Sequence, residues 1–170
     1  MKLKLREIAL FGMFGALIFA SMMVMQVLPN IHLVGVFIVA LTVVYRRKAL
    51  YPIYIFVFVS GVYYGFSFGW IPYIYIWTPL WGAVMLLPKD MPKKIAPFVY
   101  MTVCSLHGFL FGIMYAPAQS IMFGLDFEKT CIWILNGLPW DLLHGVSNFV
   151  CGILIVPLIK AVRIADRNAV

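Results

Sequence analysis

Four polar side chains lie where the surrounding sequence is almost entirely apolar: His107, Asp141, His144 and Asn148. Asp141 and His144 are three residues apart, and Asn148 follows four later, so on a helix they share one face. Ser147 and Asn136 lie close by. A charged side chain at mid-membrane costs on the order of 3 kcal/mol, so such a stripe must point into a bundle and find a partner or a purpose. A carboxylate with two imidazoles can hydrogen-bond a ligand, hold a cation, ligate a metal or act as acid and base. Trp70, Tyr73 and Trp77 add flat aromatic walls suited to stacking a heterocycle. Blander roles exist for each: Asp141 as a helix cap beside His144, His107 as an interhelical hydrogen bond, and the aromatic residues as an interfacial belt.

The elements that position these groups follow from composition. The chain has 170 residues, 64% hydrophobic and 11% charged, with a mean hydropathy of +1.00. A soluble domain of this length has too little interior to hide that much apolar surface, so the solvent is lipid. We expect an all-α integral membrane bundle of six short transmembrane helices, forming a single domain over residues 1–170. The helices are expected at about 5–27, 32–45, 49–65, 73–87, 95–115 and 139–162. Ala116-Pro117 is expected to break the fifth helix on the outside, and Pro139 to open the sixth after an outer loop with some helical character. The Ile8–Leu28 run is long for a signal peptide, and no A-x-A site follows it, so it reads as the first membrane helix.

Charge sets the orientation. Lys2, Lys4 and Arg6, then Arg46, Arg47 and Lys48, then Lys89, Lys93 and Lys94, then Lys160, Arg163 and Arg167 form four clusters between apolar runs. With both termini cytoplasmic, twelve of the thirteen basic residues lie inside and only Lys129 falls elsewhere, as the positive-inside rule asks. The net charge of +7 is therefore the sum of membrane anchors and no nucleic-acid patch. In this frame His107 sits roughly 12 Å below the outer end of helix five, and His144 about 8 Å below that of helix six. Both would lie under the aromatic loop of Phe66, Phe68, Trp70 and Tyr73. Gly12, Ala16 and Ala20 recur every four residues on helix one, with Gly15 beside them. Such a strip suits close approach of another helix, inside the bundle or from a separate subunit. Cys104, Cys131 and Cys151 suggest no disulfide framework.

The segment from Gly137 to Val162, GLPWDLLHGVSNFVCGILIVPLIKAV, resembles the last helix of the substrate-binding S components of energy-coupling factor (ECF) transporters. Pro139, Trp140, Asp141, His144 and Asn148 match a Pro-aromatic-Asp-x-x-His-x-x-x-Asn pattern found there, and the six short helices and small-residue strip extend the resemblance along the chain. It implies a multi-pass protein of the bacterial cell membrane that captures a vitamin or related micronutrient from outside. It also implies partnership with an energy-coupling transmembrane subunit and two cytoplasmic ATPases, with Gly12, Ala16 and Ala20 facing the coupling subunit. Ligand contacts would fall to Trp70, Tyr73, Trp77, His107, Asn136, Trp140, Asp141, His144 and Asn148. The metal-transporting branch uses a histidine near a free N-terminus; Lys2 to Glu7 contain none, so neither metal nor cofactor is expected. The chain carries no Walker A motif, so ATP hydrolysis belongs to a partner. No outer cluster of Arg or Lys favours a phosphorylated ligand, which leaves a vitamin, a corrinoid or a nucleobase precursor. Two other classes compete: a small intramembrane enzyme or metal-binding protein using His107, Asp141 and His144, and a scaffold whose polar stripe only joins helices. No serine or cysteine is clearly paired with a base, which argues against catalysis.

Overall fold

A computed structural model describes residues 3–168; Lys2 of the first basic cluster lies outside them. The described residues are helical and contain no strand. The helices are α1 (Leu5–Val24), α2 (Val34–Tyr45), α3 (Leu50–Tyr64), α4 (Tyr73–Ile76), α5 (Thr78–Leu86), α6 (Ala96–Phe109), α7 (Phe111–Phe123), α8 (Phe127–Cys151) and α9 (Ile155–Asn168). Several abut, so the chain forms five continuous helical stretches instead of the six separate helices expected. The second and third expected helices run together through a 3-10 turn at Arg46–Ala49. Arg46 adopts φ +54 there, a conformation unfavourable for a residue with a β-carbon. Its guanidinium donates to Met85 O at 2.6 Å and Val84 O at 3.4 Å, carbonyls in the last turn of α5. Its own carbonyl accepts from Trp81 Nε1 at 3.1 Å. These bonds hold the bend in place.

Leu5–Val24, Ala96–Phe123 and Phe127–Arg167 are each long and apolar enough to cross a membrane. The outer surface agrees: Phe58, Val62, Phe98, Leu106, Val146 and Ile153 are each more than half exposed. So broad an apolar exterior is unsuited to water. Side-chain contacts bring the basic clusters to one end of the molecule. Lys48 pairs with Glu7, and Arg6 lies 3.7 Å from Asp166. Lys89, Lys93, Lys160 and Arg163 surround a common cavity. Lys129 pairs instead with Asp126, at the tip between α7 and α8.

Two expected boundaries move. Pro117 does not stop its helix: the break comes earlier, at Leu110, and α7 runs on to Gly124, whose φ of +62 ends it in the left-handed form. Nor does Pro139 open the last helix. Asp126 does so, its carboxylate accepting from Lys129 N at 2.8 Å, and Pro139 lies inside α8. Apolar surroundings and packed neighbours tolerate such interior prolines. The 41-residue run Phe127–Arg167 is about 62 Å long at ~1.5 Å per residue, twice a ~30 Å hydrocarbon core. The α7–α8 hairpin therefore rises past the shorter helices, with Tyr115 stacked on Trp133 at 5.9 Å and Ser120 bonded to Thr130.

Candidate functional site

The stripe on α8 divides into fasteners and one free member. Asp141 turns towards the break between α6 and α7, where both carboxylate oxygens accept from Gly112 N at 3.1 Å. A carboxylate at the first turn of α7 satisfies an amide with no partner in its own helix and faces the positive end of the helix dipole. Gly112 is required for the approach, because a β-carbon there would overlap Asp141 Oδ2. The capping role weighed for Asp141 thus exists, but it serves α7, and His144 is no part of it. Asn148 donates to Cys104 O at 3.2 Å, and Ser105 Oγ to Gly145 O at 2.8 Å. A β-carbon on Gly108 would stand 2.9 Å from the Gly145 backbone, so α6 and α8 touch almost main chain to main chain.

His144, at the flank of the same face, borders a cavity of about 200 Å³ shared with His32, Tyr73, Phe111 and the connector from Met22 to Ile31. The His144 ring lies 4.8 Å from His32 and 4.9 Å from Phe111. One ring behind stand Trp77, 6.3 Å from His32, and His107, stacked on Trp77 at 5.6 Å. His107 Nε2 contacts Ile76 O at 2.8 Å. A carbonyl only accepts, so in the neutral ring that nitrogen carries the hydrogen and Nδ1 is left as an acceptor. Four buried nitrogens here have no hydrogen-bond partner: His32 Nδ1, Trp77 Nε1, His107 Nδ1 and His144 Nε2. Buried polar atoms are seldom left so, because each unmade bond costs about 1–3 kcal/mol. Two of them, on His32 and His144, belong to side chains that border the cavity, with the other two one ring behind, which marks it as a place for something that bonds back.

The other expected ligand residues are dispersed. Trp70 donates to Val57 O at 2.8 Å and borders a separate outer cavity of about 310 Å³, with Tyr73 shared between the two. Asn136 is exposed on α8, and Trp140 is 54% exposed and does not border the cavity. The expected roof also changes. Phe66 and Phe68 are largely exposed, and the α1–α2 connector covers the histidines instead. That connector is tied down by Ser147 Oγ to Asn30 O at 3.0 Å, Asn30 Nδ2 to Trp140 O at 3.2 Å and Tyr64 OH to Gln26 at 3.3 Å. Because α7 and α8 extend further than expected, His107 and His144 lie about 24 and 26 Å below the outer ends of their helical stretches. They remain level with one another.

His32 is the residue sequence reasoning missed. It was read only as the start of a helix, although a chain with three histidines, two already assigned to one site, offered it as the third. Despite the closeness of His32 and His144, no group of three His, Cys, Asp or Glu among the described residues is placed to hold a metal ion. On α1, Gly15 packs against Ile55 and Pro52 of α3, whereas Ala16 and Ala20 are exposed and a β-carbon on Gly12 would meet nothing. The small-residue strip therefore lies on an uncovered face. No protein-family model matches this chain, and neither a curated protein nor a solved structure shows significant similarity to it.

Proposed function

We propose that this chain is the substrate-binding S component of an ECF-type transporter in the bacterial cell membrane. It crosses six times with both termini cytoplasmic and captures a micronutrient from outside. It then passes the ligand inward with an energy-coupling membrane subunit and two ATPases, meeting the coupling subunit through Gly12, Ala16 and Ala20. We read it as a binding subunit and not as an enzyme, a reading supported by Asp141 bonding to Gly112 N instead of pairing with His144.

The observation that supports this reading is the pair of imidazoles with unpaired buried nitrogens, His32 and His144, that border the cavity beneath the α1–α2 connector. Of the cavity's own side chains, His32 Nδ1 and His144 Nε2 are the unpaired atoms, and a neutral imidazole nitrogen donates or accepts according to its tautomer, so a complementary ligand presents a hydrogen-bonding edge to two imidazoles. Phe111, Tyr73 and the imidazoles favour a flat ring. A cavity of about 200 Å³ falls below the ~300–1,000 Å³ typical of drug-sized ligands. A one- or two-ring heterocycle fits better than a corrinoid.

Calorimetry of the purified chain against a panel of vitamins and nucleobase precursors tests the proposal, together with mass spectrometry of any compound carried through purification. One heterocycle should bind tightly, and His144→Ala or His32→Ala should weaken it about 10- to 100-fold, the equivalent of one lost buried hydrogen bond. Affinity unchanged in both variants, or no binder in the panel, removes the site.

A further inference from the structure

At the end opposite the histidine cavity lies the larger cavity, about 640 Å³, between the 88–93 turn, the start of α6 and the body of α9. Lys89 and Lys93 reach it from the turn, and Lys160 and Arg163 from α9. None of these four forms an ion pair among the described residues. Asp90 lies on the same rim, which leaves positive charge in excess. The one acidic residue of α9, Asp166, is turned away: it lies 3.7 Å from Arg6 and accepts from Tyr45 OH at 3.3 Å. Lys160, Arg163 and Arg167, spaced by three and four, consequently form an unopposed basic stripe on an amphipathic helix.

The interior of this cavity is of a different character. Val43, Tyr100 and Ile159 form an apolar floor, with Tyr100 and Ile159 buried. A soluble anion would satisfy the cations and leave that floor wet. A molecule with a phosphate at one end and a hydrocarbon chain at the other satisfies both. Basic pockets between membrane helices suit such headgroups, each Lys or Arg contributing about 1 kcal/mol near an anionic surface.

We infer that this cavity is a binding site for an anionic phospholipid of the inner leaflet, its phosphate among Lys89, Lys93, Lys160 and Arg163 and its acyl chain over Tyr100 and Ile159. The site is independent of the ligand bound beneath the α1–α2 connector.

Native mass spectrometry of the full chain, released from micelles doped with phosphatidylglycerol or with phosphatidylcholine, tests this. The wild type should retain one phosphatidylglycerol in preference to phosphatidylcholine, and a large excess of inorganic phosphate should not displace it. Lys160→Gln with Arg163→Gln should weaken retention about 10- to 30-fold. Lys89→Gln with Lys93→Gln, changed on the turn instead of the helix, should do the same. Arg47→Gln with Lys94→Gln removes two exposed charges outside the cavity and should leave retention intact. Equal loss in that control pair, no preference between the lipids, or displacement by phosphate overturns the inference, the last assigning the cations to a soluble anion.

Discussion

Asp141 shows how far residue types alone can be pushed. Its spacing to His144 and Asn148 correctly placed all three on one buried helical face, but spacing says nothing about which neighbours they meet. The break at Leu110, which supplies Gly112 N as a partner, leaves no mark in the pattern of apolar residues. Asp141→Ala should therefore act on stability, lowering it by about 1–3 kcal/mol through the stranded amide. Gly112→Ala should destabilise too, by pushing the carboxylate aside. Thermal unfolding in detergent, read beside ligand affinity, checks both: an unchanged melting temperature with binding lost would return Asp141 to the ligand. His32 escaped notice for the complementary reason. It lies in a connector, where no periodicity points to a face.

At the scale of elements, the apolar runs were legible and their ends were not. Pro117 and Pro139 were read as boundaries because proline breaks helices in water. The true signals were Gly124 and Asp126, a left-handed stop followed by a side-chain start. Lys129 donates to Asp126 from both its side chain and its backbone, and these bonds hold that carboxyl below its ordinary range. The sign follows from that direction. The cap's contribution is complete above the usual carboxylate pKa and is lost only as pH falls through the lowered value. Asp126→Ala should speed hydrogen exchange at Lys129 and Thr130, the two amides bonded to residue 126, at neutral pH. In the unaltered chain the same amides should stay protected until pH drops below the normal carboxylate range. Protection that fades within that range would show that the cap is not the anchor of α8.

For the molecule as a whole, composition alone was enough to indicate apolar helices, three of which are long enough to cross a membrane. The number of separate helices was misjudged, because the basic run at Arg46 to Lys48 marks a reversal without interrupting helical structure. The uncovered strip on α1 belongs to this scale, since its partner would be another chain. Ala16→Trp should abolish uptake in membranes carrying the coupling subunit and ATPases while leaving ligand affinity within about twofold, because residue 16 is exposed and remote from the cavity. Uptake that survives so bulky a change would place docking on a different surface.

The connector above the histidines has a kinetic consequence. Its polar ties to the rest of the molecule are the bonds at Asn30 and Gln26, each worth about 0.5–1.5 kcal/mol net. Rupturing all of them lies within reach of spontaneous loop motion on the nanosecond-to-microsecond scale. On the proposed reading a solute arriving from the exterior meets a latch that gives way readily, whereas α6 and α8 are held together almost main chain to main chain at Gly108 and Gly145. On that reading the resting protein would be quick to admit a ligand and slow to release it inward until a partner parts those two helices.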